Sequence, residues 1–383
     1  MFETAKSLCA SFLQMGVPGF DLLVYKDGKE VFRHMGGYSD LAKKTPMRGD
    51  EKYNIFSCSK IFTCTAAMQL WEKGLFRLED ELSKFMPEFE NMMVRTEEGL
   101  EPAKRPIRIH HLFEMTAGFS YDLRSPQLEQ LRIDTEGRCP TREVARYLAR
   151  EPLHFHPGDK FLYSLCHDVL AALVEVISGQ KFECYVKEHI FDPLGMKDSN
   201  FLLPMDQYDT VSTMHVFDAQ LGKTRATSSQ VPMYRLGSEH ASGGAGCVST
   251  VADYMKFLEA LREGERLLKR ETIDLMATDR LTDEQKKGYA SRRVYGYGLG
   301  MRTPKEGGIR TDFGWGGAAG AHLAVDIPHG LCSFYVQHEL LSPNMDIKHR
   351  VFLSIVDDLC GTKMLEEEIQ ATEQVVPDQT ITF

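Results

Sequence analysis

The chain has 383 residues, 43% hydrophobic and 26% charged, with a formal net charge of −10 and an isoelectric point near 5.8. That length supports one large domain or two modest ones with a real core. The acidic balance, with no basic cluster, argues against a nucleic-acid partner, because phosphate binding needs a basic face. No run of about 18 apolar residues offers a membrane span. The first residues, Met1 to Cys9, lack the basic start and apolar core of an export signal. Nine scattered cysteines, an odd number, do not form a disulfide framework. They are expected to be reduced, mostly buried thiols in a cytoplasmic protein.

Residues 2–13 read as an amphipathic helix with Phe2, Leu8, Phe12 and Leu13 near one face. β-Rich runs over 20–25 and 30–34 flank Lys26-Asp27-Gly28-Lys29. Asp-Gly between two such runs predicts a hairpin, since both turn positions need φ > 0. After a loop holding Gly36, Gly37 and Pro46, residues 57–73 have helical character and stop at Gly74, where a C-terminal glycine belongs. From about 76 to 235 the pattern is mainly helical. Helices are expected over 78–85, 141–150, 166–177 and 181–190, with a turn at Asp192 to Met196. Residues 208–236 are polar and carry no clear pattern. Gly243-Gly244-Ala245-Gly246 leads to Ser249 or Thr250 as the N-cap of a helix over 251–263. Strands are expected over 296–302, 318–326 and 331–338, with a turn at Ile327 to Gly330. A helix over 343–360 ends at Gly361, and 364–383 reads as an appended acidic tail. Strands at both ends with helices between predict an α+β architecture. One antiparallel sheet is built from both termini and flanked by helices (1–75 plus 236–383). A mainly helical domain is inserted (76–235), and the site lies at their interface.

A serine hydroxyl needs a neighbouring base to act as a nucleophile. In Ser57-Cys58-Ser59-Lys60 the i, i+3 spacing puts Ser57 and Lys60 on one helix face. Lysine serves as that base where a desolvated, cation-rich setting disfavours its charged form. A serine at a helix start also has backbone N–H groups and the positive dipole end beside any oxyanion. The motif alone is weak, with about one or two chance matches expected in such a chain. Ser178-Gly179-Gln180-Lys181 is one, placed where a helix ends. Two further segments change the weighing. Tyr163-Ser164-Leu165 stands in a loop just before the 166–177 helix, and Trp315-Gly316-Gly317-Ala318 puts a glycine pair at the lip of a strand.

With Ser-x-x-Lys, Tyr-Ser-x and Trp-Gly-Gly in this order, the chain resembles the serine β-lactamase and penicillin-binding-protein superfamily (class C β-lactamase-like), and within it the family VIII carboxylesterases. Arg108 to Phe119 and Gly243 to Phe257 resemble its linking segments, so the likeness covers most of the chain. The resemblance implies a β-lactamase/transpeptidase-like fold with Ser57 as the acylated nucleophile and Lys60 as its base partner. It implies that Tyr163 shuttles the proton to the leaving group. The oxyanion hole is implied to use the N–H groups of Ser57 and Ala318, with Trp315, Gly316, Gly317 and Leu165 along the substrate.

Two departures set the expected substrate. Trp315 offers an apolar plane where the β-lactamase pattern has a cation for the drug's carboxylate, and Leu165 replaces a common Asn. Both favour apolar acyl esters. The expected activity is cleavage of carboxylic esters through an acyl-enzyme on Ser57, on a small-molecule ester or amide, with no cofactor. The rivals are a β-lactamase or D-amino-acid peptidase, and a catalytically inactive homologue that binds a ligand or partner. His110-His111 and His154-x-His156 lack the i, i+4 helical spacing of metal ligands, and no Cys-x-x-Cys accompanies them. No G-x-S-x-G elbow occurs. The 243–246 glycine cluster lacks the Lys-Ser/Thr of a phosphate loop and is expected to form a tight turn beside the cleft. Oligomeric state is left open.

Overall fold

The computed structural model describes residues 1–373, with side chains to 370. Its centre is an eight-stranded antiparallel sheet. The strand order is Gly296–Tyr297, Arg302–Thr303, Phe313–Gly316, His322–Asp326, Leu331–Val336, Gly19–Lys26, Lys29–Asp40 and Thr45–Pro46. The two ends of the chain meet in mid-sheet, where Asp21 pairs with Val336 and Lys26 with Leu331. The hairpin expected at Asp27-Gly28 is present, with φ of 48° and 78° at the two turn residues.

Alternation along Gly19–Lys26 assigns its two faces. Phe20, Leu22 and Val24 enter a core with the helices Glu3–Gln14 and Arg350–Cys360, while Leu23 joins a larger core with Val251–Glu263. The first helix buries Phe2, Ala5, Cys9 and Phe12, with Leu8 and Leu13 half-buried beside them. The fold is α+β, with helices packed on both faces of a sheet built from both end portions of the chain.

Several element boundaries differ from the sequence reading. Residues 78–85 form only a three-ten turn, Leu82–Lys84, because the backbone pairs elsewhere. Leu82 N donates to Ile107 O, and His110 N donates to Leu78 O. Helix Phe182–Val186 runs through a wider turn, Lys187–Phe191, into Asp192–Leu194 before Gly195 (φ 65°) ends it. Pro193 has no N–H to give the regular ladder. The expected strand over 296–302 is two short strands about a turn containing Gly300 (φ 86°). The strand expected over 318–326 starts only at His322, because Gly317 to Gly320 is a turn closed by Gly320 N donating to Gly317 O at 2.9 Å. The strand expected over 331–338 ends at Val336, and His338 turns away at φ 49°.

The last long helix begins at Arg350, seven residues later than expected, after a run of turns. The patternless 208–236 segment contains the hairpin His215–Asp218 and Lys223–Ala226, joined by Glu339–Leu340. Nor is the tail appended throughout. Met364–Glu373 is a helix whose Met364 is buried and whose Glu368 pairs with buried Arg310; residues 374–383 lie outside the described residues.

All nine cysteines are unpaired, and all but Cys184 and Cys360 are buried. No helix of the described residues is long and apolar enough to cross a membrane. Burial pushes His111, His167 and His338 down to about 3, and His322 well below its usual range. An unfolded histidine takes up its proton at about pH 6.5, so below that pH the unfolded chain binds more protons than the folded one. Stability is therefore complete above about pH 6.5 and falls as the pH drops toward 3. Thermal melts at pH 7.5 and pH 5 are expected to show Tm several degrees lower at pH 5. Equal Tm values would mean that these rings are protonated while still folded.

Candidate active site

The turn that carries Ser57, the candidate nucleophile, is built from strand pairing and one unusual residue. Tyr53–Asn54 pairs with Val248–Ser249, and Ile55 N donates to Cys247 O at 3.1 Å. Phe56 follows at φ 46°, a left-handed conformation that costs a bulky residue about 1–3 kcal/mol. It leads into the three-ten turn Phe56–Cys58 and then the helix Ser59–Glu72. Ser57 thus precedes the α-helix instead of opening it. As the middle residue of the three-ten turn, it has an amide that the turn itself does not use. The turn is held by Tyr254 Oη donating to Cys58 O at 2.8 Å and by Cys247 N donating to Ser59 Oγ at 3.0 Å.

Lys60 is fully buried and aimed back at the serine. Its Nζ donates to Ser57 Oγ at 3.2 Å, to Gly244 O at 2.6 Å and to Tyr121 Oη at 3.5 Å. It also lies 4.7 Å from the Tyr163 ring centroid and 5.5 Å from that of Tyr121. The cation-rich setting read from the sequence is not what these contacts supply; they are acceptors and ring faces. Gly244 belongs to the 243–246 cluster, which does form the turn expected beside the cleft.

Tyr163 completes the arrangement. Its hydroxyl donates to Ser57 Oγ at 2.8 Å and accepts from Trp315 Nε1 at 3.2 Å. The Trp315 ring stacks on Tyr163 with centroids 5.8 Å apart and meets Tyr297 edge-on at 5.3 Å. Trp315 is therefore both an apolar wall and a donor to the tyrosine oxygen. Gly316 ends its strand half-buried, and Gly317 approaches the Ser57 turn so closely that a Cβ there would lie 2.5 Å from Ile55 O. Ala318, the second residue of the Gly317 to Gly320 turn, shares an apolar cluster with Phe56. Its amide is not the one that closes the turn.

Leu165 departs from the reading. It is 2% exposed and packs in the main core at the start of Cys166–Ser178, so it does not line the cleft. Two aromatic neighbours were missed. Tyr121 stacks on Tyr163 at 5.6 Å, and Tyr234 stands edge-on to both Tyr121 and Phe56 at 5.7 Å. Burial pushes the Tyr121 hydroxyl well above its usual range. Neither tyrosine belongs to a spaced motif, and only folding brings them to Ser57. His110 and His111 stand on a short helix, Ile109–Phe113, and not in a loop; His110 contacts Glu114 one turn on, and His156 contacts Glu101.

A family model described as Beta-lactamase matches residues 6–352. The chain belongs to the β-lactamase family. Protein Rv1367c of Mycobacterium tuberculosis (strain ATCC 25618 / H37Rv) is 30% identical over 329 residues, covering 79% of this chain and 81% of that protein. Esterase EstB of Burkholderia gladioli is 28% identical over 335 residues, covering 81% and 83% of the two chains. Among solved structures, EstCE1, a hydrolase with promiscuous acyltransferase activity, matches with a TM-score of 0.76 at 23% identity. That match covers 93% of this chain and 97% of the other, and at this identity it speaks to the fold. Membership in the β-lactamase family and likeness to esterases make this chain a hydrolase of the serine β-lactamase and penicillin-binding-protein superfamily.

Proposed function

We propose that the chain cleaves neutral, apolar carboxylic esters through an acyl-enzyme on Ser57. The observation that carries this reading is the double contact on Ser57 Oγ, from Lys60 Nζ at 3.2 Å and Tyr163 Oη at 2.8 Å. Ser57 passes its proton to that pair as it attacks the ester carbonyl. The amides of Ser57 and Ala318 receive the oxyanion, and Tyr163 returns the proton to the leaving alkoxide. Water then attacks the acyl-enzyme by the same route and releases the acid.

In this reading Ser57, Lys60 and Trp315 come from the sheet portion (1–75 plus 236–383) and Tyr163 from the helical insertion (76–235), and the proposed site lies at their interface. The contacts of Tyr163 with Ser57 and Trp315 support it. Trp315, Gly316 and Gly317 border the acyl group. The aromatic walls supplied by Phe56, Tyr121, Tyr234 and Trp315 suit an apolar acyl chain. Unpaired thiols suit a reducing compartment, and the cytoplasm is the proposed location. The same acyl-enzyme can pass its group to an alcohol other than water. The promiscuous acyltransferase activity of EstCE1 favours that second reading.

The test uses p-nitrophenyl butyrate and a chromogenic cephalosporin side by side, with fluorophosphonate labelling of Ser57. Ester cleavage with little cephalosporin turnover is the expected result. Strong cephalosporin turnover would move the assignment to a β-lactamase. Silence on both substrates with no labelling would leave the inactive, ligand-binding homologue as the better account. Faster release of nitrophenol on adding a short alcohol, with formation of the new ester, would identify the transfer reaction.

A further inference from the structure

Lys60 is held from behind as well as in front. The Gly244 carbonyl that accepts its shortest hydrogen bond sits in a turn closed by Gly246 N donating to Ser242 O at 2.8 Å and by Ala245 N donating to Ser242 Oγ at 3.1 Å. Ser242 Oγ in turn donates to Asp168 Oδ1 at 2.7 Å, and His240 Nε2 stands 3.4 Å from the same oxygen. Asp168 lies on the Cys166–Ser178 helix and is 1% exposed. Its other oxygen, Oδ2, is buried and takes no hydrogen bond among the described residues. That oxygen faces Gly244: a Cβ on the glycine would lie 2.7 Å from Oδ2 and 3.4 Å from Lys60 Nζ. The carboxylate and the amine both border the space that a side chain on Gly244 would fill.

We propose that Asp168 is a positioning residue for Lys60, its buried carboxylate fixing the turn that offers the Gly244 carbonyl and setting a negative charge behind the amine aimed at Ser57. Burial opposes ionisation of Asp168, but the His240 and Ser242 contacts and the charge of Lys60 outweigh it and hold the carboxyl below its usual range. The titratable groups in electrostatic contact with it among the described residues are Lys60 on the nucleophile helix, Tyr121 on a cleft loop, Cys166 and His167 on its own helix, and His240. Burial keeps the Cys166 thiol and Tyr121 protonated and His167 neutral.

The inference rests on Ser57 and Lys60 acting as proposed above. Its test is the rate of fluorophosphonate labelling of Ser57 against pH, read where circular dichroism shows each protein folded. Asp168→Asn is expected to slow the plateau about tenfold. It should also move the acid limb to lower pH by about half a unit or more, since losing a negative neighbour favours the less protonated form. Ser242→Ala loosens the carboxylate but keeps its charge, so the plateau falls and the limb stays. A limb that does not move in Asp168→Asn overturns the proposal. Should that variant not fold, Gly244→Ala takes its place. Its methyl must displace Oδ2 or Lys60, and labelling as fast as in the wild type overturns the proposal. No labelling of the wild type itself would sink both this inference and the function it rests on.

Discussion

Ser57→Ala, Lys60→Met and the double variant are each expected to lose about three orders of magnitude or more in kcat on p-nitrophenyl butyrate, all by nearly the same factor. The geometry argues for a unit. On the cleft side Lys60 Nζ donates to Ser57 Oγ and to the Tyr121 hydroxyl, while Gly244 O holds it from behind. Without the serine the lysine has nothing to activate, and without the lysine the serine keeps only Tyr163. Methionine has nearly the length of lysine, so the buried site stays filled, but Gly244 O loses its donor and buried Asp168 a cation. Rates are therefore compared where circular dichroism shows each variant folded. Rate factors that multiplied in the double variant would show that the two groups act independently, and the acyl-enzyme scheme built on their contact would fail.

The second large effect is on stability. Asp312→Ala is expected to destabilise the fold by about 3–5 kcal/mol, because it strands a buried guanidinium. Arg302 Nη2 donates to Asp312 Oδ2 at 2.8 Å and to Leu323 O at 2.9 Å, and Tyr295 Oη donates to Asp312 Oδ1 at 2.7 Å. Both charged residues are under a tenth exposed. Adding Arg302→Met to Asp312→Ala should recover much of the loss, since an absent pair is better tolerated than half of one. Urea titration of the two variants decides it: a double variant as weak as the single one would place the cost in the backbone. Asp312 directly precedes the strand Phe313–Gly316, so ester hydrolysis should fall with the single variant as Trp315 loses its footing.

What the sequence revealed and what it hid follow one division. The Asp27-Gly28 hairpin and the Ser57 and Lys60 pair depend on residues close together in the chain. Tyr163 and Trp315, far apart in it, were named through the ordered motifs of the resemblance, and the fold brings them together with Ser57 and Lys60. Tyr121, Tyr234 and Asp168 were not legible, because each reaches the site across tertiary contacts with no spacing to announce them. Leu165 was misread for a related reason. Its neighbour two positions back faces the serine, but the onset of Cys166–Ser178 turns Leu165 into the core. The 78–85 segment has helical spacing of buried Leu78, Leu82 and Met86, yet its amides find partners near residue 108. The strand boundary at His322 was hidden by a turn whose residues look strand-like from Ala318 onward.

The pairing of Asp21 with Val336 also governs how the molecule comes into being. During synthesis the Gly19–Lys26 strand emerges long before Leu331–Val336, and one of its edges waits for that partner. An unpaired edge is an aggregation hazard for as long as it stays open. Contacts between such distant stretches of chain also form slowly. The helix Ser59–Glu72 leaves the ribosome well before the strand Phe313–Gly316 that brings Trp315 to its side, so the proposed cleft closes only after both have been made.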